Sequence, residues 1–245
     1  MTIPPEIQPL ISQVRRQYPQ LAHLPDESIA ELILQTLLEQ HPRGKTDIGS
    51  MSAYECGVYG EHLLSTGRWQ EAESFFLAQL EKGERENNLD QQMQAYIHLG
   101  RLCRDRGDLP HAMTLYQQAL TLAEQLGDRR LRGVIYDQLG TTYHRQGSYS
   151  EAMEYYRKSL EIDEQRGDER GLAVSYINLG TMYVEQRDYD RALQAYRKSL
   201  EYSTKLGMER ESARAYGNLG VVYREQGQYD LAIKMFEKSL VVVQK

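Results

Sequence analysis

Residues 136–160 read YDQLGTTYHRQGSYSEAMEYYRKSL, residues 176–200 read YINLGTMYVEQRDYDRALQAYRKSL, and residues 216–240 read YGNLGVVYREQGQYDLAIKMFEKSL. The three stretches superpose at an offset of 40 residues, and the register runs back through Gly220, Gly180 and Gly140 to Gly100 and Gly60. Twelve residues after each of these glycines stands an alanine (Ala72, Ala112, Ala152, Ala192, Ala232), and eight further on a leucine (Leu80, Leu120, Leu160, Leu200, Leu240). Self-similarity at a fixed period is the mark of a repeat architecture, in which each unit buries its apolar face only against its neighbours.

The spacing inside each unit is helical. Tyr136, Leu139 and Tyr143 fall at i, i+3 and i+7, and Ala152, Tyr156 and Leu160 fall at i, i+4 and i+8. Both patterns recur 40 residues later, and no stretch alternates with the period of a strand. Each unit therefore reads as two helices. The first glycine and the alanine are small residues that let helix backbones approach closely. A second glycine seven residues on (Gly67, Gly107, Gly147, Gly227) falls in the turn between the helices, with Arg187 in its place once. Gly127, Gly167 and Gly207, with Asn87 in register, end the second helices, since glycine and asparagine tolerate the left-handed backbone. The 18 tyrosines, against 3 phenylalanines, are expected to pack between helices with hydroxyls reaching a polar rim.

The order aromatic, Leu-Gly, Tyr, Ala, aromatic, small-Leu resembles the tetratricopeptide repeat over roughly residues 50 to 245. The 40-residue period, with "NLG" at 178–180 and 218–220, looks like the kinesin-light-chain and spindle-orientation-scaffold branch, and like bacterial peptide-sensing regulators. The resemblance implies an all-α chain: a right-handed α-solenoid, or superhelix, of five helix-turn-helix units at about 50–87, 90–127, 130–167, 170–207 and 210–245. Residues 47–245 would form that superhelix and residues 1–46 an N-terminal helical cap and linker. In the cap, residues 5–17 are expected to form a short helix, with Pro19 beyond its end. Pro25-Asp26-Glu27-Ser28 reads as the start of a second, with Ile29, Leu32, Ile33 and Leu37 on one face. The first unit is degenerate, with Cys56 in place of the aromatic residue. The last ends at Leu240-Val241-Val242-Val243-Gln244-Lys245 without a polar capping helix. Two readings of that end stay open: a chain that continues, or a homodimer through the uncapped C-terminal helix.

Composition narrows the function. A net charge of −6 gives no global positive field for nucleic acid, and no apolar run approaches the roughly 20 residues that span a bilayer, so neither nucleic-acid binding nor membrane insertion is expected. Two cysteines, Cys56 and Cys103, provide no disulfide framework, and a reducing, cytoplasmic compartment is the expectation. The six histidines and the cysteines show no metal-ligand spacing. Gly44-Lys45-Thr46 lacks the first glycine of a phosphate loop, and the two Arg-Gly-Asp triplets at 106–108 and 166–168 fall at repeat turns. No catalytic residue, metal or cofactor is expected, and an enzyme is not.

The resemblance implies a protein or peptide partner held in the concave groove lined by the first helices. Asn178 and Asn218, two residues before the repeat glycine, match asparagines that grip an extended peptide backbone in that branch. Gln138 and His98 occupy the same register. Arg101, Thr141 and Thr181 follow at one residue past the glycine, and Arg104, His144 and Arg224 at four, with Arg145 at five. Acids on the same face, among them Glu61, Asp105, Asp137, Glu185 and Glu225, favour internal ion pairing over an anion-binding cluster. The function expected is an adaptor or scaffold that binds an extended or helical segment. The alternatives are an assembly factor using its convex or C-terminal surface, or the ligand-sensing half of a peptide-responsive regulator.

Overall fold

The computed structural model describes residues 11, 14–16, 18–21, 23–25, 28–29 and 48–242, and the backbone of Val243. Most of the expected cap, including Leu32, Ile33 and Leu37, and the chain end at 244–245 lie outside the described residues. Ten α-helices run between Ala53 and Val243: α1 (Ala53–Ser65), α2 (Trp69–Arg85), α3 (Leu89–Asp105), α4 (Leu109–Leu126) and α5 (Arg129–Gln146). They continue with α6 (Tyr149–Arg166), α7 (Glu169–Glu185), α8 (Tyr189–Lys205), α9 (Glu209–Glu225) and α10 (Tyr229–Val243). No strand occurs among the described residues. The architecture is the all-α solenoid of paired helices that the sequence implies. None of the described helices is long and apolar enough to cross a membrane.

The chain divides into two compact units, residues 1–102 and 103–245, with the division inside α3. In the first unit, α1 packs on α2. Ser52 begins α1 with a reciprocal cap: its hydroxyl accepts from the Glu55 N–H at 3.2 Å, and the Glu55 carboxylate accepts from the Ser52 N–H at 2.7 Å. Ile11 and Ile29 are buried together, with Val14, Leu24 and Tyr54 packed against them. The Lys82 ammonium donates to the Gly49 carbonyl at 3.0 Å, tying α2 to the 3₁₀ turn Ile48–Ser50.

The second unit shows how the repeat is built. In each of the pairs α5–α6, α7–α8 and α9–α10, a glycine of the first helix lies under an aromatic ring of the second. A Cβ at Gly140 would stand 2.7 Å from the Tyr156 ring, at Gly180 2.5 Å from Tyr196, and at Gly220 2.7 Å from Phe236. Distances this short exclude any side chain, so the glycines set the helix spacing. Next to this contact Ala152, Ala192 and Ala232 are buried. A serine near the far end of the second helix closes each pair: Ser159 donates to the Gly133 carbonyl at 3.0 Å, Ser199 to Ala173 at 2.7 Å, and Ser239 to Ala213 at 2.8 Å. Successive pairs stack through apolar contacts. Tyr196, Leu193 and Ile177 meet Ala215, Leu219 and Val222 of α9.

The turns follow the Gly/Asn register. After several of them an aspartate caps the next helix: Asp128 accepts from the Leu131 N–H at 2.9 Å, Asp168 from Gly171 at 3.0 Å and Asp188 from Arg191 at 3.1 Å. Asp168 belongs to one of the Arg-Gly-Asp triplets, which is thereby turn and cap chemistry. Asn87 has φ of 53° and Arg187 φ of 58°. Arg187 occupies the slot that glycine fills in the other units, at a left-handed backbone disfavoured by roughly 1–2 kcal/mol for residues with a Cβ. Arg187→Gly is expected to stabilise the second unit by about 1 kcal/mol, read as a higher urea midpoint at unchanged slope; a lower midpoint would mean the arginine side chain contributes more than its backbone costs.

Candidate functional site

The first helices of the second unit, α5, α7 and α9 with the end of α3, form a wall of partly exposed polar side chains. Their register places the residues two before and one after the repeat glycine side by side. Thr141 and Thr181 are positioned from behind by tyrosines of the second helices: the Tyr156 hydroxyl meets the Thr141 hydroxyl at 3.2 Å, and Tyr196 meets Thr181 at 3.3 Å. Both tyrosine rings are buried, and burial raises the Tyr156 phenol to about 12, so it stays neutral. The expectation of packing tyrosines with hydroxyls at a polar rim holds at these two positions.

Neighbouring first helices are tied by polar side chains. The Asn178 amide donates to Asp137 Oδ1 at 2.5 Å, joining α7 to α5. Arg104 donates to Gln138 Oε1 at 2.5 Å and to Asp105 at 3.1 Å, joining α3 to α5. Arg145 donates to the Arg104 carbonyl at 3.1 Å and lies 3.4 Å from Asp105. His144 Nε2 stands 3.6 Å from Glu185, and Arg224 pairs with Glu225 at 2.9 Å. Of the residues singled out in sequence, Arg104, Gln138, Thr141, His144, Arg145, Asn178, Thr181, Asn218 and Arg224 belong to this unit. Asn218 stands apart from the rest, with no hydrogen-bond partner among the described residues.

His98 and Arg101 belong to the first unit. His98 Nδ1 lies 3.0 Å from Gln79 Oε1, and its ring centroid is 4.7 Å from that of Phe76. Burial pulls its pKa down to about 4, against the raising effect of Glu61, so the imidazole is neutral at pH 7. Arg101 pairs with Glu61 at 3.1 Å. Arg101, Arg104, Arg145 and Arg224 thus face internal acids, and His98 is a neutral ring. Cys56 is buried and its thiol is pushed up to about 11 by that burial, leaving it protonated. No group of three or more His, Cys, Asp or Glu side chains among the described residues is arranged to hold a metal ion.

Two residues outside the expected binding set shape the wall: Asp137, expected only as an internal ion-pairing acid, and Arg214, which the sequence did not single out. Asp137, three before the repeat glycine, occupies a position held by isoleucine at 97 and 177. Burial raises its pKa to about 6, opposed first by the Asn178 bond and then by Arg104. Arg214, six before the glycine, replaces the valines at 134 and 174. It is exposed and has no ion-pair or hydrogen-bond partner among the described residues, yet its charge is close enough to favour ionisation of Asp137, Tyr156 and Tyr196. The signal for both was a break in the repeat: a charge at a position uncharged in the other four units, Gly57, Ile97, Ile177 and Gly217 for Asp137, and Tyr54, Gln94, Val134 and Val174 for Arg214.

A second raised carboxyl lies behind the wall. Asp163 of α6 accepts from the Ser175 hydroxyl at 2.8 Å, and burial lifts its pKa to about 6. A folded-state pKa above the ordinary 3.8 means the folded unit holds protons that the unfolded chain has already released. The associated stability is fully present below about pH 4 and is lost as pH rises through about 6. Asp163→Asn, which mimics the protonated acid, is expected to raise the urea midpoint over wild type at pH 7.5, with the gain vanishing toward pH 4. A gain constant across that range would show that the carboxyl titrates normally.

A family model of the tetratricopeptide repeat matches residues 50–125, 112–165, 131–205 and 171–245. Among solved structures, the chain is similar to BtubC (BKLC) from P. vanneervenii, with a TM-score of 0.67 at 20% identity over 100% of this chain and 92% of that one. It is similar to a putative kinesin light chain of Podosopora anserina with nearly identical TPR-like repeats, at a TM-score of 0.60 and 16% identity over 77% and 93% of the two chains. It is also similar to MamA, at 0.51 and 21% over 76% and 94%. At these identities the likeness shows the fold alone. No curated protein matches.

Proposed function

The chain belongs to the tetratricopeptide repeat family, a protein-interaction scaffold in general terms, and from that premise we propose that it binds an extended segment of a partner protein along the wall formed by α5, α7 and α9. The observation that carries the reading is the row Gln138, Thr141, Asn178, Thr181 and Asn218, each partly exposed and repeated at the same two register positions. Hydrogen-bonding capacity is left over on this row. Asn178 uses its amide nitrogen on Asp137 but keeps its oxygen, and Asn218 keeps both ends of its amide. An amide with donor and acceptor side by side matches a peptide group whatever side chain the partner carries. The tyrosine hydroxyls and inter-helix bonds hold the row in place before binding, which lowers the ordering cost on this side of the complex. Gln138 and Arg104 act in this reading as supports for the wall, and His98 and Arg101 as the corresponding supports in the first unit.

A test must block the groove without untying neighbouring first helices. Asn178→Ala would strip the bond from Asp137, so it confounds binding with folding. Thr181→Trp and, independently, Thr141→Trp place bulk on the wall and forgo only the tyrosine hydroxyl contact, which Thr181→Val and Thr141→Val forgo without the bulk. A partner captured from native extract by wild type and by the valine variants is expected to be lost with both tryptophan variants while they stay folded. It should be retained by Glu161→Ala on the exposed side of α6; a partner that survives both tryptophans would move binding off the wall.

A second reading has its own observation. Tyr229, Ile233, Phe236 and Leu240 line one side of α10 and are 66%, 55%, 38% and 59% exposed. One repeat earlier, Leu193 and Tyr196 are 9% and 2% exposed because α9 covers them. A second copy of the chain, packing α10 on α10, would cover the stripe. Light scattering across concentration is expected to show a dimer that Ile233→Glu with Leu240→Glu converts to monomer. A wild type that stays monomeric throughout would end this reading.

A further inference from the structure

The wall's charges are nearly all matched within the second unit. Arg104 and Arg145 face Asp105, Asp137 holds the Asn178 amide, His144 stands by Glu185, and Arg224 pairs with Glu225. Arg214 is the exception. One turn along α9 stands Asn218, the member of the asparagine register that bonds nothing among the described residues. Its counterpart Asn178 finds Asp137 on the preceding first helix, whereas the residue 41 before Asn218 is Ile177, which offers no acceptor. The two residues left over thus lie side by side, both donors.

There is room for a ligand beside them. Arg210, Arg214, Gly217 and Asn218 of α9 line a recess of about 570 Å³ with Ser239 of α10, and Glu209 is the one acid among the lining residues, against two arginines. Gly217 opens the floor: a Cβ there would meet only the Ser239 hydroxyl, at 3.8 Å, whereas Ile97, Asp137 and Ile177 fill the same register in the three preceding units and the glycine at 57 lies against the Gln79 side chain. Arg214 stands one turn before Asn218 on α9, and its charge favours ionisation of Asp137, Tyr156 and Tyr196.

We propose that the segment bound on this wall carries an oxyanion, a carboxylate or a phosphate, that is received by the Arg214 guanidinium with the Asn218 amide as second donor. This rests on the groove reading and names the chemistry it selects. Arginine is suited to the task because its planar fork donates two parallel hydrogen bonds to a carboxylate or phosphate. Lysine-bearing segments are disfavoured by Arg214 and Arg210 together. Asp137 holds the Asn178 amide and forms no direct bond with Arg214, and its charge opposes the bound anion. Neutralising Asp137 should therefore tighten the anion, while neutralising Arg214 should loosen it.

The probe is a synthetic bead library of decapeptides with glutamate, phosphoserine, glutamine and lysine among its building blocks. It is screened with the full chain, with Arg214→Gln, with Asp137→Asn and with Thr181→Trp. Wild-type selections are expected to share glutamate or phosphoserine at one fixed position, and whichever residue fills it identifies the source of the oxyanion. Arg214→Gln should bind the selected peptide at least tenfold more weakly, yet bind its glutamine counterpart as wild type does. Asp137→Asn should bind the acidic peptide more tightly. Peptides that depend on Thr181 but carry no acid, or an acidic peptide bound equally by Arg214→Gln, would overturn this proposal and leave the groove reading standing. Selections indifferent to Thr181→Trp, or no selection at all, would overturn both.

Discussion

The contact on which the rest of the second unit depends is a glycine lying beneath an aromatic ring. At Gly140, Gly180 and Gly220 the ring of Tyr156, Tyr196 or Phe236 occupies the space a Cβ would need. This brings the two helices of a pair close enough to bury Ala152, Ala192 and Ala232 and to carry the serine hydroxyls to a backbone carbonyl. Spacing and axial register are fixed together. A larger residue at the glycine would move the ring, and with it the hydroxyl at its tip. The same ring that packs the pair therefore also sets the position of Thr141 or Thr181 on the outer wall.

The link from core to surface explains why the wall is polar and ordered at once. Wall residues sit on helices whose opposite face is locked, so few of their own degrees of freedom remain. Bonds between first helices reinforce this: Arg104 to Gln138 and Asn178 to Asp137 each join residues from neighbouring repeats. Their net contribution to stability is modest, since a hydrogen bond to a charged group is typically worth about 1.5–3 kcal/mol. Their geometric consequence is larger. They leave the remaining donors and acceptors in a periodic row that no single helix could present.

Much of the fold was legible because the repeat enforces it at every turn of the chain. The glycine ladder, the buried alanines and the left-handed turn at Asn87 all follow from steric limits that act locally. Arg187 was legible as the odd residue in a glycine slot, and its φ of 58° shows that the fold overrides local preference there. The site was legible in part. Register assigned Asn178, Thr181 and Asn218 to one face, but not what each would touch, because a partner 41 residues away is chosen by the neighbouring repeat. Asp137 turned Asn178 into a support, and Ile177 left Asn218 unengaged. His98 was placed in the asparagine register by spacing alone, whereas burial beside Phe76 and Gln79 makes it a neutral ring in the first unit.

Departures from the repeat are then more informative about function than the repeat itself. A consensus position is explained by stacking alone, and it would be kept in a solenoid that bound nothing. A charge in place of an aliphatic residue has no such explanation. Asp137 and Arg214 are two of these, and they differ in outcome. Burial raises the Asp137 pKa to about 6 and its carboxylate accepts from the Asn178 amide, so the fold absorbs it. Arg214 is exposed and has no hydrogen-bond or ion-pair partner among the described residues, and Asp137 feels its charge without pairing with it. Ordering an arginine side chain costs entropy. An oxyanion from outside the chain, in direct contact with the guanidinium, would offset that cost more fully than a carboxyl that only senses its field.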